Sequence, residues 1–415
     1  MSKTQNALIG FAVGDAMGVP LEFMDRIDLI NNPITEMLSK KPYPAGTFSD
    51  DTSMTIATMD AIIKDRKIDS KHIMDNFVDW VAKGKYSPTN KCFGIGKTTL
   101  QAITKYVNAK DYITPSRCGL TDIKSNGNGS LMRMLPIVLY CYYKKPKAEE
   151  IYEIVRDTSK LTHAHEISIM GCYIYVRFLL NIMNGKDKEE SYKALRRYNY
   201  SKYFSQDTIK EYDRILKNDI SKYKLNEIKS TGYVVDTLEA VLFVVMNSTK
   251  FSESIIGAVN LGDDTDTIGA ITGSITGTIY GYDEIPVKWL FSLKKQDYIA
   301  DIVKAFEETM EKEDCPYFYN YWNVRFDDHH NNSYRKQLIE AGVNIEDKYL
   351  NRDQFIELFD TIIDTTAAEI IIKPIEKYML EIDHLNGEGV IDRRNEEDIV
   401  ELFNKLDSKE DKTDN

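Results

Sequence analysis

The sequence has few cysteines, and they follow no pattern that would build a covalent or metal framework. The five cysteines are odd in number, are widely spaced along 415 residues, and include no C-x-x-C pair. A disulfide scaffold needs paired cysteines, and a structural zinc site needs closely spaced ones. We therefore expect neither, and a reducing compartment suits the chain.

The sequence also lacks an excess of basic residues and a long apolar run. Its 53 Lys and Arg against 65 Asp and Glu give a net charge of −12, which argues against a surface for nucleic acid. The longest apolar run beyond the N-terminus, residues 268–280, falls short of the roughly 20 residues that span a membrane. The N-terminal run is interrupted by Asp15 and has no signal-cleavage pattern. We expect a cytoplasmic protein without membrane or nucleic-acid partners.

Alternating strand patterns with hairpin turns are scarce, whereas helical periodicity runs through the chain. One stretch repeats apolar residues at steps of three and four, namely Val234, Leu238, Val241, Leu242 and Val245. This spacing puts the apolar side chains on one face of an α-helix. The sequence therefore predicts an all-α fold, and its length of 415 residues allows two or three domains.

Two of the predicted helices carry glycine at every fourth position. The stripes are Gly10, Gly14 and Gly18 in the first helix and Gly269, Gly273, Gly277 and Gly281 in the second. A glycine inside a helix costs about 1 kcal/mol relative to alanine, so a regular stripe needs a compensating contact. We interpret both stripes as grooves for close helix packing. If these helices pack together, Asp15, Glu22 and the later acidic motif enter one region.

The helical pattern breaks near residues 311–332, where Pro316, an aromatic cluster and paired asparagines follow one another. We predict a first domain over residues 1–310, a C-terminal helical extension over 311–405 and a disordered acidic tail over 406–415. In the extension, residues 353–380 and 396–406 are predicted helices, and the DDHH run at 327–330 is interpreted as a polar loop. The polar stretch 184–230 predicts a pair of solvated helices outside the core.

Two acidic motifs lie far apart in the sequence. GTFSDDTSM places Ser49, Asp50 and Asp51 just before a predicted helix over residues 54–63. GDDTDTIG places Asp264 and Asp266 at the start of the second glycine-striped helix, where a richly capped helix N-terminus is an equally good interpretation. Four clustered carboxylates repel one another without cations, whereas Mg²⁺ prefers such oxygen ligands. The two motifs together therefore fit one site for two divalent ions.

Six motifs resemble those of one enzyme family and occur in its order. They are GDAMGVPLEF, GTFSDDTSM, SNGNGSLMRMLPI, LTHAHEISI, TGYVVDTLEAVL and GDDTDTIGAITGSITG. The chain resembles the ADP-ribosylglycohydrolase family over residues 8–289, so that the first domain is expected to be a compact helical domain of this type. The resemblance implies two Mg²⁺ or Mn²⁺ ions at the base of a cleft and hydrolysis of the bond between C1″ of ADP-ribose and its acceptor.

The resemblance also implies roles for individual residues. Glu22, Asp51 and Asp264 match catalytic positions, although spacing alone leaves open which carboxylate acts as the general base. Ser49 stands where the family usually has threonine, and the hydroxyl oxygen survives that change. The implied metal ligands are Ser49, Asp50, Asp51, Asp264, Asp266 and Thr267.

Four further segments match family positions that contact the ligand. The GNGS segment, before a helix predicted from Leu131, resembles a diphosphate cradle, since glycine lets the backbone approach an anion. His163 and Tyr233 match a ligand-contacting histidine and an aromatic residue at the adenine end, with structural roles in the core as the alternatives. Gly94 stands where the family often has aspartate. The implied substrate-binding residues are Phe93, Gly94, Ile95, Gly96, Gly127, Asn128, Gly129, Ser130, His163 and Tyr233.

The predicted function is removal of ADP-ribose from a modified protein, with arginine as the favoured acceptor and free ADP-ribose as the product. The alternative is an immunity protein that neutralises an ADP-ribosyltransferase partner by blocking it, with the C-terminal extension as the docking element. Retention of all the ligand-type residues favours catalysis over binding alone. An Asp264→Asn protein that no longer hydrolyses would separate the two, since only a blocking protein would still protect against the transferase.

Overall fold

The computed structural model describes residues 1–109 and 114–311. The described part contains sixteen α-helices, short 3-10 turns and three isolated β-bridges, and the all-α prediction is confirmed. The predicted extension and tail, including the helices at 353–380 and 396–406 and the loop at 327–330, lie outside the described residues. The division into domains therefore stays a prediction.

The helix bounds follow the chain from the N-terminus. The α-helices are α1 (Lys3–Gly18), α2 (Arg26–Asn31), α3 (Asp50–Asp65), α4 (Ser70–Lys83), α5 (Lys97–Ala109), α6 (Leu135–Lys144), α7 (Ala148–Ser159), α8 (Glu166–Met183), α9 (Lys188–Arg197), α10 (Gln206–Glu211), α11 (Asp213–Leu216), α12 (Val234–Asn247), α13 (Phe251–Val259), α14 (Thr265–Tyr280), α15 (Val287–Ser292) and α16 (Gln296–Glu311). Turns of 3-10 helix include Val19–Leu21 directly after α1 and Leu131–Arg133 before α6.

Helices α1 and α14 pack against each other along their glycine stripes. A Cβ atom at Gly14 would lie 2.0 Å from the carbonyl oxygen of Gly269, and one at Gly273 would lie 2.0 Å from that of Gly10. Only glycine allows backbones to approach this closely. The pairing is antiparallel, since Gly18 at the end of α1 meets Thr265 at the start of α14. The predicted packing of the two stripes is confirmed.

Every residue of α1 from Ala7 to Gly18 is buried, so this helix is surrounded by other parts of the fold. Helices α3, α13 and α16 pack against it beside α14, and α12 and α13 pack against α14. A helix that is covered on all sides can place a charged group only where another element binds it. Asp15, fully buried on α1, must therefore be bound by a neighbouring element.

Helix α8 is longer than the run at 268–280, which the sequence indicated as the longest apolar segment and as too short to span a membrane. Its 18 residues have a mean hydropathy of 1.3 and are long enough to cross a membrane by length and composition. However, 78% of that window is buried inside the protein, as in the core helix of a globular domain.

The polar stretch 184–230 differs from the predicted solvated pair of helices. It forms α9, α10 and α11 with three 3-10 turns, and it buries a set of aromatic and aliphatic side chains. Tyr192, for example, is 3% exposed, and its hydroxyl donates a hydrogen bond to the carbonyl oxygen of Ile215. Charged residues mask this set in the sequence because they occupy the outer face between the buried positions.

Candidate active site

The antiparallel pairing of α1 and α14 brings the start of α14 next to Asp15. The start of α3 reaches the same place because Asp15 binds it directly. One carboxylate oxygen of Asp15 accepts a hydrogen bond from the Ser49 N–H (2.8 Å), and the other accepts bonds from the Thr52 N–H (3.0 Å) and hydroxyl (2.6 Å). Asp15 therefore satisfies free donors at the N-terminus of α3. It joins α1, α3 and α14 at one point.

The two acidic motifs meet there. Helix α3 begins at Asp50, four residues earlier than predicted, so that Asp50 and Asp51 lie in its first turn. Carboxylate oxygens of Asp50, Asp51 and Asp266 lie within 4.8 Å of one another, and all three residues are buried. This group is named the acidic cluster below.

Asp264 and two hydroxyls border the acidic cluster. Asp264 precedes α14 and makes no side-chain capping bond, which removes the capping interpretation for this residue. Its Oδ2 atom instead accepts a hydrogen bond of 2.7 Å from the amide of Asn128. The hydroxyl of Ser49, which also caps α3, lies 3.2 Å from Asp51 Oδ2, and that of Thr267 lies 3.4 Å from the same atom. All six predicted metal ligands thus lie in one place.

Burial and mutual repulsion perturb these carboxyl groups. Burial raises the pKa of Asp50, Asp51 and Asp264 well above the usual value, and neighbouring aspartates raise it further. Burial also raises the pKa of Asp266 to about 7 and that of Asp15 to about 6. Asp51 Oδ1 is buried and has no hydrogen-bond partner in the described part of the chain. Such a donor set is incomplete without positive charge.

Glu22 follows the 3-10 turn after α1 and is half-buried beside Asp264. Burial, followed by the charge of Asp264, raises its pKa to about 7, while Lys40 acts in the opposite direction. Backbone hydrogen bonds fix this segment, since Phe23 N–H donates to the Asp263 carbonyl (2.8 Å) and Asp263 N–H donates to that of Met24 (3.0 Å). The predicted catalytic glutamate therefore lies at the acidic cluster.

Arg26 was missed by the sequence analysis, because an exposed-looking arginine at a helix start has many ordinary roles. Its guanidinium donates to the carbonyl oxygens of Leu261 (2.6 Å) and Ile228 (2.6 Å) and to the hydroxyl of Ser230 (2.8 Å). It thereby ties the segment after Glu22 to the two segments that precede Tyr233 and Asp264.

The predicted ligand loop at residues 92–96 lies against Asp50. Gly94 has a φ of +81°, and a Cβ atom there would lie 2.1 Å from Asp50 Oδ1. A side chain here would strain the backbone at its positive φ and displace the Asp50 carboxylate, which gives a physical reason for glycine where the family often has aspartate. Phe93 stacks on Tyr43 with ring centroids 4.3 Å apart, and Ile95 is partly buried against the core while Gly96 is exposed.

The GNGS loop is held by the segment before α12. Asn128 N–H donates to the Gly232 carbonyl (3.0 Å), and Val234 N–H donates to that of Asn126 (3.0 Å). The following helix begins at Leu135 after a 3-10 turn, and not near Leu131 as predicted. Ser130 is fully buried, with its hydroxyl 3.0 Å from that of Ser159. The hydrogen bond from the Asn128 amide to Asp264 therefore connects the loop to the acidic cluster, whereas the side chain of Ser130 is part of the core.

His163 lies beneath this loop. A Cβ atom at Gly129 would lie 2.9 Å from Cε1 of the imidazole, and one at Gly127 would lie 3.7 Å from its Nε2. His163 Nδ1 is 2.9 Å from the hydroxyl of Thr162, which also accepts a hydrogen bond of 2.9 Å from Arg133. Burial, and then the charge of Arg133, lowers the pKa of His163 to about 3.

Tyr233 precedes α12 and is partly buried. Its hydroxyl donates a hydrogen bond of 3.1 Å to Glu211. A contact between the Tyr233 ring and a ligand stays a prediction. Of the residues near the site, Asp15 was expected in this region without a specific role, and Arg26 and Arg133 were not expected at all. Arg133 carries one signal that could have found it, a lone charged residue inside an apolar run.

Fold and site together define an all-α protein in which a cluster of buried carboxylates lies beside a glycine-rich loop. The profile of one family, ADP-ribosylglycohydrolase, matches residues 1–315. The chain belongs to the ADP-ribosylglycohydrolase family. It is a hydrolase of glycosyl bonds, and the bond that it cleaves joins ADP-ribose to an acceptor.

Named relatives agree with this assignment. The chain is similar to ADP-ribosylarginine hydrolase Tri1 of Serratia proteamaculans, with 31% identity over 76% of this chain and 81% of the relative. It is also similar to ADP-ribosyl-[dinitrogen reductase] glycohydrolase of Rhodospirillum rubrum, with 28% identity over 70% of this chain and 90% of the relative. A solved structure, described as an ADP-ribosylglycohydrolase-related protein complex, superposes with a TM-score of 0.61 at 25% identity, over 74% of this chain and 98% of that one.

Proposed function

We propose that this enzyme releases ADP-ribose from ADP-ribosylated arginine on proteins and that it requires Mg²⁺. The observation that carries the metal requirement is the acidic cluster, three buried carboxylates within 4.8 Å with an unpartnered oxygen on Asp51. The similarity to a relative named for ADP-ribosylarginine supports the choice of acceptor.

The donor set fits hard divalent cations, because it consists of carboxylates and hydroxyls only. The residues that would hold two ions are Ser49, Asp50, Asp51, Asp264, Asp266 and Thr267, and Mn²⁺ would fit the same set. When bound, Mg²⁺ supplies positive charge that stabilises charge developing on substrate oxygens. The carboxylates then stay ionised, because a cation lowers the pKa that burial raises.

The chain's own residues supply the other roles. Glu22, held beside Asp264 by the backbone bonds of Phe23, accepts a proton from water or orients the acceptor nitrogen. Asn128 orients Asp264 through its amide, so that this carboxylate keeps one position. The GNGS loop and His163 bind the diphosphate side of the substrate, and Tyr233 offers an aromatic face at the adenine end. The loop at 92–96 covers Asp50 and limits access of bulk water.

A panel of defined substrates tests this proposal. The full-length chain is incubated with peptides that carry ADP-ribose on arginine or on serine and with O-acetyl-ADP-ribose, and released ADP-ribose is measured with Mg²⁺ or with a chelator. We expect release from the arginine peptide, and its loss with chelator. Faster release from serine or from the acetyl ester would overturn the acceptor assignment, and full activity in excess chelator would overturn the metal requirement.

A further inference from the structure

A buried arginine lies behind His163 without an acidic partner. Arg133 is 0% exposed, and its Nε and Nη1 atoms have no hydrogen-bond partner within the described residues. Its Nη2 donates to the Thr158 carbonyl (3.1 Å) and to the Thr162 hydroxyl (2.9 Å), and the guanidinium lies 5.1 Å from the ring centroid of Phe77. A buried cation of this kind imposes its charge on every neighbouring polar group.

The hydrogen bond from Arg133 dictates what the Thr162 hydroxyl can do. An arginine N–H can only donate, so the Thr162 oxygen must accept it. The hydroxyl proton then remains available for an acceptor, and His163 Nδ1 lies 2.9 Å away. A neutral imidazole has one nitrogen that accepts and one that donates. If Nδ1 accepts from Thr162, the proton of His163 lies on Nε2.

The Nε2 edge of His163 is the edge that faces the GNGS loop. His163 is 2% exposed, and among the described residues none makes a hydrogen bond to Nε2. A Cβ atom at Gly127 would lie 3.7 Å from Nε2 and one at Gly129 would lie 3.4 Å from it, so the two glycines leave this edge uncovered by their own side chains. His163 is buried as a residue, and its Nε2 atom faces a glycine loop without a hydrogen bond from the described part of the protein; this arrangement indicates a ligand atom that completes the hydrogen bond.

We propose that Arg133 and Thr162 are positioning residues, which hold neutral His163 as the Nε2–H tautomer so that it donates a hydrogen bond to an oxygen of the substrate at the GNGS loop. This inference deepens the proposed function and rests on it only for the identity of the ligand. The positive charge of Arg133 attracts an anionic group over a longer distance. The Thr162 hydroxyl, which accepts the hydrogen bond from Arg133, donates to Nδ1 and thereby keeps the proton of His163 on Nε2. Because His163 stays neutral, the donor is present throughout the physiological pH range.

Nitrogen NMR of the full-length chain tests the tautomer without any ligand. The six histidines are labelled with ¹⁵N, and His163 is assigned by its absence in His163→Gln. We expect the pattern of a neutral ring with the proton on Nε2. Thr162→Val removes the hydroxyl and should produce a mixture of tautomers or the Nδ1–H form, whereas Thr162→Ser keeps the hydroxyl and should restore the wild-type pattern. A wild-type ring with its proton on Nδ1 would overturn the proposal.

Calorimetric titration with ADP-ribose tests the consequence for binding. Loss of one oriented hydrogen bond should weaken ADP-ribose about tenfold in Thr162→Val, and Thr162→Ser should bind as the wild type does. Equal affinity in all three proteins would overturn the positioning role. If wild-type protein does not bind ADP-ribose, the proposed function fails, while the NMR result still decides the tautomer. The threonine variants carry the test because replacement of a buried arginine can prevent folding.

Discussion

The two sides of the site have opposite electrostatic needs. On the side of the acidic cluster, buried carboxylates lie close together, and burial with their mutual repulsion raises the pKa of Asp266 to about 7. On the side of the GNGS loop, a buried guanidinium meets a neutral imidazole, and the pKa of His163 falls to about 3. One side therefore attracts cations and the other attracts an anion. A substrate with a diphosphate next to ribose hydroxyls matches both.

The two sides also differ in how they are built. The acidic cluster stands on the glycine seam between α1 and α14, where backbones touch and side chains cannot be accommodated. The loop side is held by pairs of backbone hydrogen bonds between irregular segments, such as those of Asn128 and Val234. Asn128 and Arg26 connect the sides. We expect substitutions on the seam to affect stability and metal binding together, and substitutions on the loop side to affect ligand affinity.

The largest expected effect is loss of catalysis when the acidic cluster loses a carboxylate. Asp51→Ala and Asp264→Ala should each lower the rate of ADP-ribose release roughly a thousandfold or more, since a missing ligand removes several kcal/mol of charge stabilisation. The helical circular dichroism should stay unchanged, which serves as the control for folding. Wild-type rates in either variant would refute the assignment of this cluster as the catalytic centre.

The seam is tested by a pair of glycine substitutions. Gly14→Ala places a Cβ atom 2.0 Å from the Gly269 carbonyl oxygen and should lower the free energy of unfolding by about 3 kcal/mol or more. Gly257 lies inside α13, where a Cβ atom would meet only Val244 at 3.5 Å, so Gly257→Ala should raise that free energy by about 0.5–1 kcal/mol. Urea unfolding of both proteins measures the difference. Similar stability for the two variants would contradict close packing at the seam.

Asp15 should affect metal binding more than the fold. Asp15→Asn keeps the size of the side chain but turns an amide N–H group toward donors of Ser49 or Thr52. The start of α3 then shifts, and affinity for Mg²⁺ should fall about 10- to 100-fold, as for other residues that orient ligands. Isothermal titration with Mg²⁺ measures this change. Thr58→Val, which removes only a hydroxyl bonded to the Met54 carbonyl within α3, is the control and should bind Mg²⁺ as the wild type does.

The smallest expected effect is a pH dependence of stability in chelator. The pKa of Asp266 is about 7 in the folded protein and has a usual value of 3.8, so the folded state holds more protons than the unfolded state between these limits. The free energy of unfolding should therefore fall as pH rises through this range. Mg²⁺ should reverse the loss above neutral pH, because bound cations replace the protons. Melting temperatures at several pH values, with and without Mg²⁺, measure both trends.

Much of the acidic side could be predicted from the sequence, because short sequence patterns specify both the helix packing and the position of the aspartates. Glycine at every fourth position specifies close helix contact, and Asp50, Asp51, Asp264 and Asp266 occupy helix starts that the pattern reveals. The three-dimensional role of Asp15 could not be read in the same way. Its hydrogen bonds go to residues 34 and 37 positions away, and a sequence does not show which donors a buried carboxylate reaches.

The loop side was less predictable because its parts are joined through space. His163 and the GNGS loop were expected at a ligand, but the link through Thr162 to Arg133 depends on how the turn before α6 folds. The predicted helix start at Leu131 was wrong for the same reason, since a 3-10 turn over Leu131–Arg133 delivers Arg133 to the interior. Likewise, the buried aromatic residues between α9 and α12 are hidden in sequence by interleaved charges.

The seam also constrains when the enzyme can become functional during its synthesis. Gly14 and Gly269 are in contact although they lie 255 positions apart in the sequence. Closing so long a loop is slow and entropically unfavourable until the later partner exists. A nascent chain must therefore emerge past α14 before the four aspartates can meet. Until then, α1 exposes the apolar surface that the folded protein buries, so that chaperones that hold early segments would bind α1.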